Sequence, residues 1–373
     1  MAQYGGFGGL GGLGGLGGLG GLGGLGGLGG LGGLGGLGGQ TGLGAFLGAE
    51  DTGGYSGATT AGLLITADGL RHLAGNDPTV AADALPFNDA SNYARWGQWV
   101  RGSLYITEML SGLDWSTGTG PEHVTLTYEG ADMLTLNRPS QDVLTQQCQH
   151  VRDYADLRDE RGAEIVSQLG FPTEYFAMIL GLHPAQHKKT FELITATQVV
   201  AAHIAMIVKH ALAVRRPDQI DGRILPMIPT PGHGSFPSAH ATEAYAVLTV
   251  LTALVSRWGS LHDADRRINM MRGLAERIAV NRTVAGVHFP IDSWAGAALG
   301  TAIGHVILGR CGLSAPCPSR NYTAQHSDFF DDDFADSARA ATQGLSEGAM
   351  FAATAKPAFT WLWTAAAAEK QAV

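Results

Sequence analysis

The sequence is poor in charged residues. Lys and Arg total 24 and Asp and Glu total 33 among 373 residues, so that 15% of the chain is charged. Soluble domains average about 25%. Residues 1–43 carry no charged side chain at all. Because the remaining chain is long, this scarcity predicts a large, mostly helical buried core, in one domain or two fused halves.

Basic residues and cysteines are scarce as well. The formal net charge is −9, and no basic stripe offsets it, so we expect no nucleic-acid binding. The three cysteines, Cys148, Cys311 and Cys317, are an odd number and lack metal-ligand spacing. They predict buried or free thiols rather than a disulfide framework.

Long uninterrupted hydrophobic runs are missing too. The longest apolar stretch, 193–208, is interrupted by Thr195, Thr197, Gln198 and His203. It is shorter than the roughly 18 apolar residues that a membrane span needs, so we expect no transmembrane segment. The first four residues also lack the basic region of a secretory signal, which favours the cytoplasm.

Glycine is the residue in excess, with 55 copies. From Leu10 to Leu37, leucine occupies every third position, and two glycines precede each leucine. A period of three fits an extended left-handed helix of the polyglycine II type, which rises about 3.1 Å per residue. Its leucines would lie along one edge and could be buried between copies. We therefore predict a self-assembling homo-oligomer or filament built through residues 5–39. A flexible low-complexity tail is the alternative.

This adhesive array favours an exterior location. We therefore predict an extracellular or cell-surface protein without a classical signal peptide, with the cytoplasm as the alternative. Four regions are expected along the chain. They are the Gly-Gly-Leu assembly segment 1–43, a mixed N-terminal region 44–139 that packs on the core, a helical catalytic core 140–320 and a C-terminal tail 321–373. The hydrophobic pattern predicts helices over 141–167, 172–182, 184–215, 238–257, 263–280 and 290–308.

Three short motifs carry the chemistry, and the first reads K-x6-R-P. Lys209 and Arg216 are seven residues apart, which is two helical turns, so both side chains should leave the same face of one helix. Pro217 should then end that helix. Taken alone, the pair also fits the cationic C-terminus of a solvated helix.

The second motif reads P-S-A-H. Pro237, Ser238, Ala239 and His240 precede an apolar helical run. Proline is preorganised for a first helical turn, so the amides of Ser238 and Ala239 are predicted to form an anion-binding nest at a helix start. Taken alone, the motif also fits a serine-capped helix with an incidental histidine.

The third motif reads N-R-x5-H-x3-D. Pro290 marks another helix start, with His288 just before it and Asp292 in the first turn. Asp292 could accept a hydrogen bond from one nitrogen of His288, which would fix the tautomer and leave the other nitrogen nucleophilic. Arg282 would bring a guanidinium fork to an anion. Taken alone, a capped helix is the simpler interpretation.

The three motifs in this order resemble those of the superfamily of type 2 phosphatidic acid phosphatases, bacterial class A acid phosphatases and vanadium-dependent haloperoxidases. That family shows K-x6-R-P, P-S-G-H and S-R-x5-H-x3-D, and the resemblance covers roughly residues 140–310. Ala239 replaces the usual glycine and Asn281 the usual serine. The resemblance implies a mainly α fold, a helical bundle of the acid phosphatase and vanadium haloperoxidase type.

The resemblance also implies a role for each motif residue. His288 would attack phosphorus to give a phosphohistidine, His240 would protonate the leaving group, and Asp292 would orient His288. No metal or other cofactor would be needed, because the cations offset the phosphate charge. The residues implied to bind the oxyanion are Lys209, Arg216, Ser238, Ala239 and Arg282.

Hydrolysis of a small phosphomonoester is the favoured activity, and two alternatives remain open. In a vanadium-dependent haloperoxidase, vanadate would be the cofactor, His288 would bind vanadium, and halide and peroxide would be the substrates. His233 favours this option modestly, because bromide-using enzymes of the family resemble this chain in having a histidine there. The second alternative is a structural filament or sheath subunit that retains an enzyme fold.

Overall fold

The computed structural model describes residues 57–72 and 85–369. The Gly-Gly-Leu array, and with it the assembly predicted through residues 5–39, lies outside the described residues. The described part is mainly helical, which confirms the predicted class. The helices are α1 Gly57–Leu70, α2 Gln98–Leu110, α3 Gln141–Asp153, α4 Arg158–Ser167, α5 Thr173–Leu180, α6 Lys188–Leu212, α7 Ala239–Trp258, α8 Ala264–Val284, α9 Pro290–Arg310, α10 Asp331–Phe334, α11 Ser337–Thr342 and α12 Pro357–Ala368.

Short 3₁₀ turns lie at Ala90–Arg95, Tyr154–Leu157 and Pro217–Gln219. The second of them divides the helix predicted over 141–167 into α3 and α4. Local capping signals place several helix starts correctly. The Ser140 hydroxyl accepts a hydrogen bond from the Val143 amide at 3.3 Å and begins α3, as expected for a serine N-cap.

A five-stranded sheet lies beside the helices. Its strands are β1 Leu113–Thr119, β2 Glu122–Tyr128, β3 Ala131–Asn137, β4 Cys317–Tyr322 and β5 Leu345–Phe351, paired in that order. Neighbouring strands are antiparallel except β3 and β4, which pair in parallel with Leu134 opposite Arg320. The sheet therefore joins the mixed N-terminal region to the C-terminal tail. The sequence pattern did not predict this partnership, and the domain boundaries stay a prediction.

The centre of the molecule is the packing of α7 against α9. Three glycines of α9, Gly296, Gly300 and Gly304, face α7, and a Cβ added at Gly300 would lie 2.2 Å from the Thr242 carbonyl oxygen. Side chains at these positions would force the helices apart. The glycine stripe thus permits close backbone approach, and it brings the N-terminal ends of α7 and α9 together.

Two carboxylates fix the position of α12 and of the residue that follows it. Glu369 accepts hydrogen bonds from the amides of Lys189 and Thr190 at 2.7 and 2.8 Å, and so caps α6. Glu108 of α2 accepts from the amides of Ala358 and Phe359 at 2.9 and 3.1 Å, and so caps α12. Carboxylates at helix N-termini satisfy unpaired amides and complement the helix dipole.

Three helices are long and apolar enough, by length and composition, to cross a membrane. They are the stretch Lys188–Gln219 that begins with α6, together with α7 and α9, and their most apolar 18-residue stretches have mean hydropathies of 1.7, 1.2 and 1.2. The prediction of no transmembrane segment is therefore wrong. Uncharged residues such as Thr195 interrupt the apolar run but lower its hydropathy far less than charges would.

The predicted extracellular or cytoplasmic location is wrong for the same reason. Three candidate spans indicate a membrane-integral protein instead. Of the residues in the three apolar stretches, 83%, 78% and 89% are buried inside the protein. Much of their apolar surface is therefore covered by the protein's own helices. The three cysteines are free and buried, as predicted.

Candidate active site

His288 and Asp292 meet at the start of α9. Asp292 Oδ2 accepts hydrogen bonds from His288 Nδ1 at 2.7 Å and from the Phe289 amide at 3.0 Å. The Ser235 hydroxyl donates to the same carboxylate oxygen. Since an ionised carboxylate only accepts hydrogen bonds, the imidazole proton is on Nδ1. Nε2 of His288 therefore has a lone pair available.

Arg216 contacts that lone pair. Its NH1 group lies 2.9 Å from His288 Nε2 and donates to the Val287 carbonyl at 2.7 Å. The other edge of the guanidinium meets His233, with Nε donating to its carbonyl at 3.0 Å and NH2 lying 3.1 Å from its Nδ1. The structure thus brings Arg216, His233 and His288 into one hydrogen-bonded group.

Arg216 reaches this position by a different route from the one predicted. Helix α6 ends at Leu212, and Ala213 adopts a left-handed conformation with φ of 48°. Arg216 is extended, and Pro217 begins a 3₁₀ turn rather than ending the long helix. Lys209 and Arg216 therefore do not share a helix face. The chain reversal at Ala213 directs Arg216 back towards the site.

Lys209 lies in the last turn of α6 and is buried. Its ammonium group donates to the carbonyls of Gly234 and Ser235 at 2.9 and 2.8 Å. These acceptors belong to the same loop that supplies Ser235 to Asp292. The loop 231–237 therefore carries polar contacts to Lys209, to Arg216 and to Asp292, and holds the three groups in fixed relation.

His240 and Arg282 form the other half of the site. His240 Nε2 donates to the Gln168 carbonyl at 3.0 Å, and Arg282 NH1 donates to the same oxygen at 3.3 Å. Arg282 NH2 also donates to the Gln168 side-chain oxygen at 3.2 Å. Because a carbonyl cannot donate, Nε2 of His240 carries a proton and Nδ1 remains for proton transfer.

Ser238 and Ala239 occupy the start of α7. The Ser238 amide donates to the Asp292 carbonyl at 2.9 Å, and the Ser238 hydroxyl accepts from the Ala241 amide at 3.3 Å. The Ser238 amide, predicted to belong to an anion-binding nest, is therefore hydrogen-bonded within the protein instead. Ala239 is the first helical residue and has no positive φ, so its Cβ brings no backbone strain. Its amide is not part of the helical hydrogen-bond ladder.

The site holds three buried cations that form no salt bridge among the described residues. Lys209, Arg216 and Arg282 are 2%, 1% and 1% exposed. Within 57–72 and 85–369, no salt bridge joins any of the three to a carboxylate. Their hydrogen bonds go mostly to backbone carbonyls. Buried charges are normally paired, so this arrangement indicates an anionic ligand.

Burial also sets the protonation of two groups outside the candidate spans. It lowers the pKa of Arg282 to about 10, which still leaves the guanidinium charged near neutrality. Burial, followed by the positive charges of Arg216 and Lys209, lowers the pKa of His288 well below its usual 6.5. His288 is therefore neutral and nucleophilic across the physiological range.

The motif region matches a known family. Residues 191–310 match the PAP2 superfamily, and this stretch contains all three motifs. The resemblance seen in the sequence is confirmed. Residues 191–310 of this chain are thus similar to the PAP2 superfamily.

Two curated relatives match the chain at 30% identity over 130 residues. They are decaprenylphosphoryl-5-phosphoribose phosphatases of Mycobacterium tuberculosis, from strains CDC 1551 / Oshkosh and ATCC 25618 / H37Rv. The alignment covers 35% of this chain and 66% of each relative. The chain thus spans just under two thirds of the length of these relatives.

Two solved structures are more distant. A transmembrane PAP2-type phosphatidylglycerolphosphate phosphatase from Bacillus subtilis is 20% identical, with a TM-score of 0.34 over 44% of this chain and 84% of that chain. A bacterial vanadium-dependent iodoperoxidase is 18% identical, with a TM-score of 0.33 over 42% and 46% of the two chains. Scores this low carry no argument about activity.

Three residues at or near the site have weak or no signals in the sequence. Ser235 lies inside the P-G-H-G-S-F-P run, so its proximity to Ser238 was the only available signal. Gln168 acts chiefly through a backbone carbonyl, which has no signature in sequence. Glu243 lies one turn after His240, is fully buried, and neither of its carboxylate oxygens has a hydrogen-bond partner among the described residues. Lys209 is the cation whose charge acts on it.

Proposed function

We propose that this protein hydrolyses phosphomonoesters through a phosphohistidine formed at His288. One observation carries the proposal: Arg216, one of three buried cations without a salt bridge among the described residues, contacts an imidazole whose proton is held on Nδ1 by Asp292. Such a set can bind a tetrahedral oxyanion and attack it, because the cations stabilise the charge of the transition state. A carboxylate-oriented histidine is the nucleophile that the chemistry requires.

Binding of the anion has a consequence for Arg216. Arg216 NH1 lies 2.9 Å from His288 Nε2 and engages its lone pair. A phosphate group offers the guanidinium fork a stronger, doubly hydrogen-bonded partner. Recruitment of Arg216 to the phosphate therefore frees Nε2 for attack. Substrate binding and activation of the nucleophile become one event.

Two displacements complete the reaction. In the first, the Nε2 lone pair forms a P–N bond, the P–O bond to the alcohol breaks, and the departing oxygen takes the Nδ1 proton of a doubly protonated His240, which becomes neutral. In the second, His240 takes a proton from water, the water oxygen bonds to phosphorus, and the P–N bond electrons return to Nε2. The proton on His288 Nδ1 stays on that nitrogen throughout, hydrogen-bonded to Asp292, because the carboxylate stabilises the imidazole in both steps.

The test measures turnover of p-nitrophenyl phosphate and traps the intermediate. His288→Asn should abolish turnover and acid-labile labelling of the protein by ³²P substrate, whereas the exposed His262→Asn should behave like the wild type. Full turnover by His288→Asn would refute the proposal. A labelled intermediate stable to acid would also refute it, because a phosphohistidine is acid-labile.

A lipid-linked phosphate ester belongs in the same assay. A small phosphomonoester is the substrate expected from the sequence, and the three candidate spans add the option of a lipid-linked one. The curated relatives are named for a decaprenylphosphoryl substrate. We therefore propose that phosphate esters with an apolar chain are turned over faster than p-nitrophenyl phosphate, as a comparison of kcat/KM would reveal.

Vanadium-dependent halide oxidation is the second candidate, and His233 is the observation that favours it. Its ring lies 3.1 Å from Arg216 NH2, at the edge of the cationic group. Lys209, Arg216 and Arg282 would hold vanadate, with His288 Nε2 at the metal, and this donor set fits the group. Bound vanadate would supply activation of peroxide. Halogenation of a phenol dye with vanadate, bromide and peroxide, without phosphate ester turnover, would favour this candidate over the phosphatase.

The proposed display on a self-assembling oligomer or filament concerns residues 5–39, which lie outside the described residues. Deletion of these residues tests it. A smaller particle with unchanged turnover would support an enzyme carried on an assembly segment. If the full-length protein has no turnover and the deletion abolishes its assembly, the structural alternative would be supported.

A further inference from the structure

A cavity of about 430 Å³ lies between α7, α8, α9 and α10, and none of the candidate active-site residues lines it. Its size falls within the range of small-molecule sites, about 300–1,000 Å³. It is lined by Leu248 and Thr252 of α7, Arg272 of α8, His305 of α9 and Arg320 of β4, among others. The chemistry of these walls is not required by phosphate ester hydrolysis.

One part of the cavity is apolar. Leu248, Leu308 and Phe334 line it and are largely buried, and the half-buried Ile268 adds to the same surface. Apolar walls favour an apolar ligand by about 25 cal/mol per Å² of surface removed from water. This part of the cavity therefore fits a short hydrocarbon chain.

Arg320 supplies a positive charge with unsatisfied donors at the cavity wall. Its Nε and NH1 atoms are buried and have no hydrogen-bond partner among the described residues. NH2 makes one long contact, 3.4 Å, with Glu347 Oε1. The guanidinium lies over the Phe334 ring at 5.3 Å from its centroid, so one face of the guanidinium is covered by the ring. Its Nε and NH1 donors remain without hydrogen bonds among the described residues.

Glu347, which lies outside the cavity lining, offsets the charge of Arg320 only through this 3.4 Å ion pair. Arg272 donates to Asp331 Oδ2 at 2.6 Å, and the Tyr245 hydroxyl donates to Asp331 Oδ1 at 2.8 Å. Asp331 is therefore fully engaged by these two partners. The lining carries one positive charge more than the carboxylate within it can offset, which favours a ligand with a single negative charge.

We propose that this cavity binds a small amphiphilic carboxylate, with its hydrocarbon chain against Leu248, Leu308 and Phe334 and its carboxylate on Arg320. A planar carboxylate matches the guanidinium edge in two parallel hydrogen bonds, and its single charge balances the lining. The proposal does not depend on the proposed phosphatase activity, which uses a tetrahedral anion at a different place in the fold.

Calorimetric titration of the full-length protein with octanoate tests the proposal. The controls are 1-octanol, which has the chain without the charge, and acetate, which has the charge without the chain. Octanoate should bind at least about tenfold more tightly than either control, because octanol lacks the carboxylate that contacts Arg320 and acetate lacks the hydrocarbon chain. Arg320→Gln should weaken octanoate binding by about tenfold or more, and the exposed Arg339→Gln should leave it unchanged.

A second variant keeps the test decisive if Arg320→Gln does not fold. Thr252→Phe places a ring in the cavity from the α7 wall without touching Arg320, and should abolish octanoate binding. Equal binding of octanoate and octanol, or unchanged octanoate affinity in either folded variant, would overturn the proposal. Saturating sulfate, which should occupy the cationic group around His288, should not displace octanoate. Displacement would mean that octanoate binds at that site and would also overturn the proposal.

Discussion

The Ser238 amide donates to the Asp292 carbonyl oxygen at 2.9 Å, so the starts of α7 and α9 are hydrogen-bonded to each other. The P-S-A-H motif and the H-x3-D motif are thereby joined through the backbone. This link places His240 and His288 on the two sides of one helix junction. Any change in the α7–α9 spacing should therefore affect both histidines together.

Gly300→Ala tests the role of that spacing. The added Cβ would lie 2.2 Å from the Thr242 carbonyl oxygen and 3.0 Å from the Ala246 nitrogen, so the helices must move apart. We expect a loss of about 1–3 kcal/mol in the free energy of unfolding, measured by chemical denaturation, together with reduced turnover. Gly273→Ala on α8 is the matched control. Its Cβ meets nothing within 4 Å, so it should stabilise by about 0.5–1 kcal/mol.

Asp292→Asn tests the orientation of His288. An asparagine can present its amide donor to Nδ1, which would move the imidazole proton to Nε2 and remove the nucleophilic lone pair. We expect kcat for phosphate ester hydrolysis to fall by about 10³–10⁴-fold with the fold intact. Ser235→Ala removes only one hydrogen bond to the same carboxylate and should cost at most about 100-fold. Equal losses in the two variants would contradict the tautomer argument.

The pH dependence of stability should report His288. Its pKa in the folded protein lies well below 6.5 because it is buried beside Arg216 and Lys209. Below about pH 6.5 the unfolded chain binds a proton that the folded chain does not, so stability falls as the pH falls. The slope is up to about 1.4 kcal/mol per pH unit for this one group. Denaturation midpoints from pH 8 to 5 should show a shallower slope for His288→Asn than for the wild type.

Glu243 and Gln147 are both fully buried polar residues, but they differ in whether their side chains are hydrogen-bonded. The Glu243 carboxylate oxygens lack hydrogen-bond partners among the described residues, whereas Gln147 donates to the Ser327 carbonyl at 2.8 Å and accepts from the Ile291 amide at 3.4 Å. Glu243→Met should raise the free energy of unfolding by about 1–3 kcal/mol, and Gln147→Met should lower it by a similar amount. Changes of the same sign would show that Glu243 has an unrecognised partner.

Parts of this fold follow from local sequence, and the three motif segments are among them. Pro290 and Ser238 begin helices where the sequence predicts, because proline and a serine cap act on residues within one turn. The Asp292–His288 contact is local for the same reason. Whether each motif residue performs its implied role stays a prediction.

Other parts depend on residues far apart in the chain. The left-handed Ala213 that ends α6 has no signature, since neither glycine nor asparagine stands there. The parallel pairing of β3 with β4 joins segments separated by most of the helical core. Gln168 contributes a carbonyl, which every residue has. The candidate membrane spans are not continuous apolar runs, because isolated threonines interrupt α6, although they lower its hydropathy far less than charges would.

Glu369, which directly follows α12, stabilises the start of α6, the helix that carries Lys209. Its carboxylate holds the first free amides of α6, so a protease that trimmed the chain past this residue would fray that helix from the opposite end. Tags or fusion partners joined near residue 369 would disturb the same contact. The position of Lys209 thus depends on the Glu369 contact, even though Glu369 caps the first turn of α6 and Lys209 lies in its last turn.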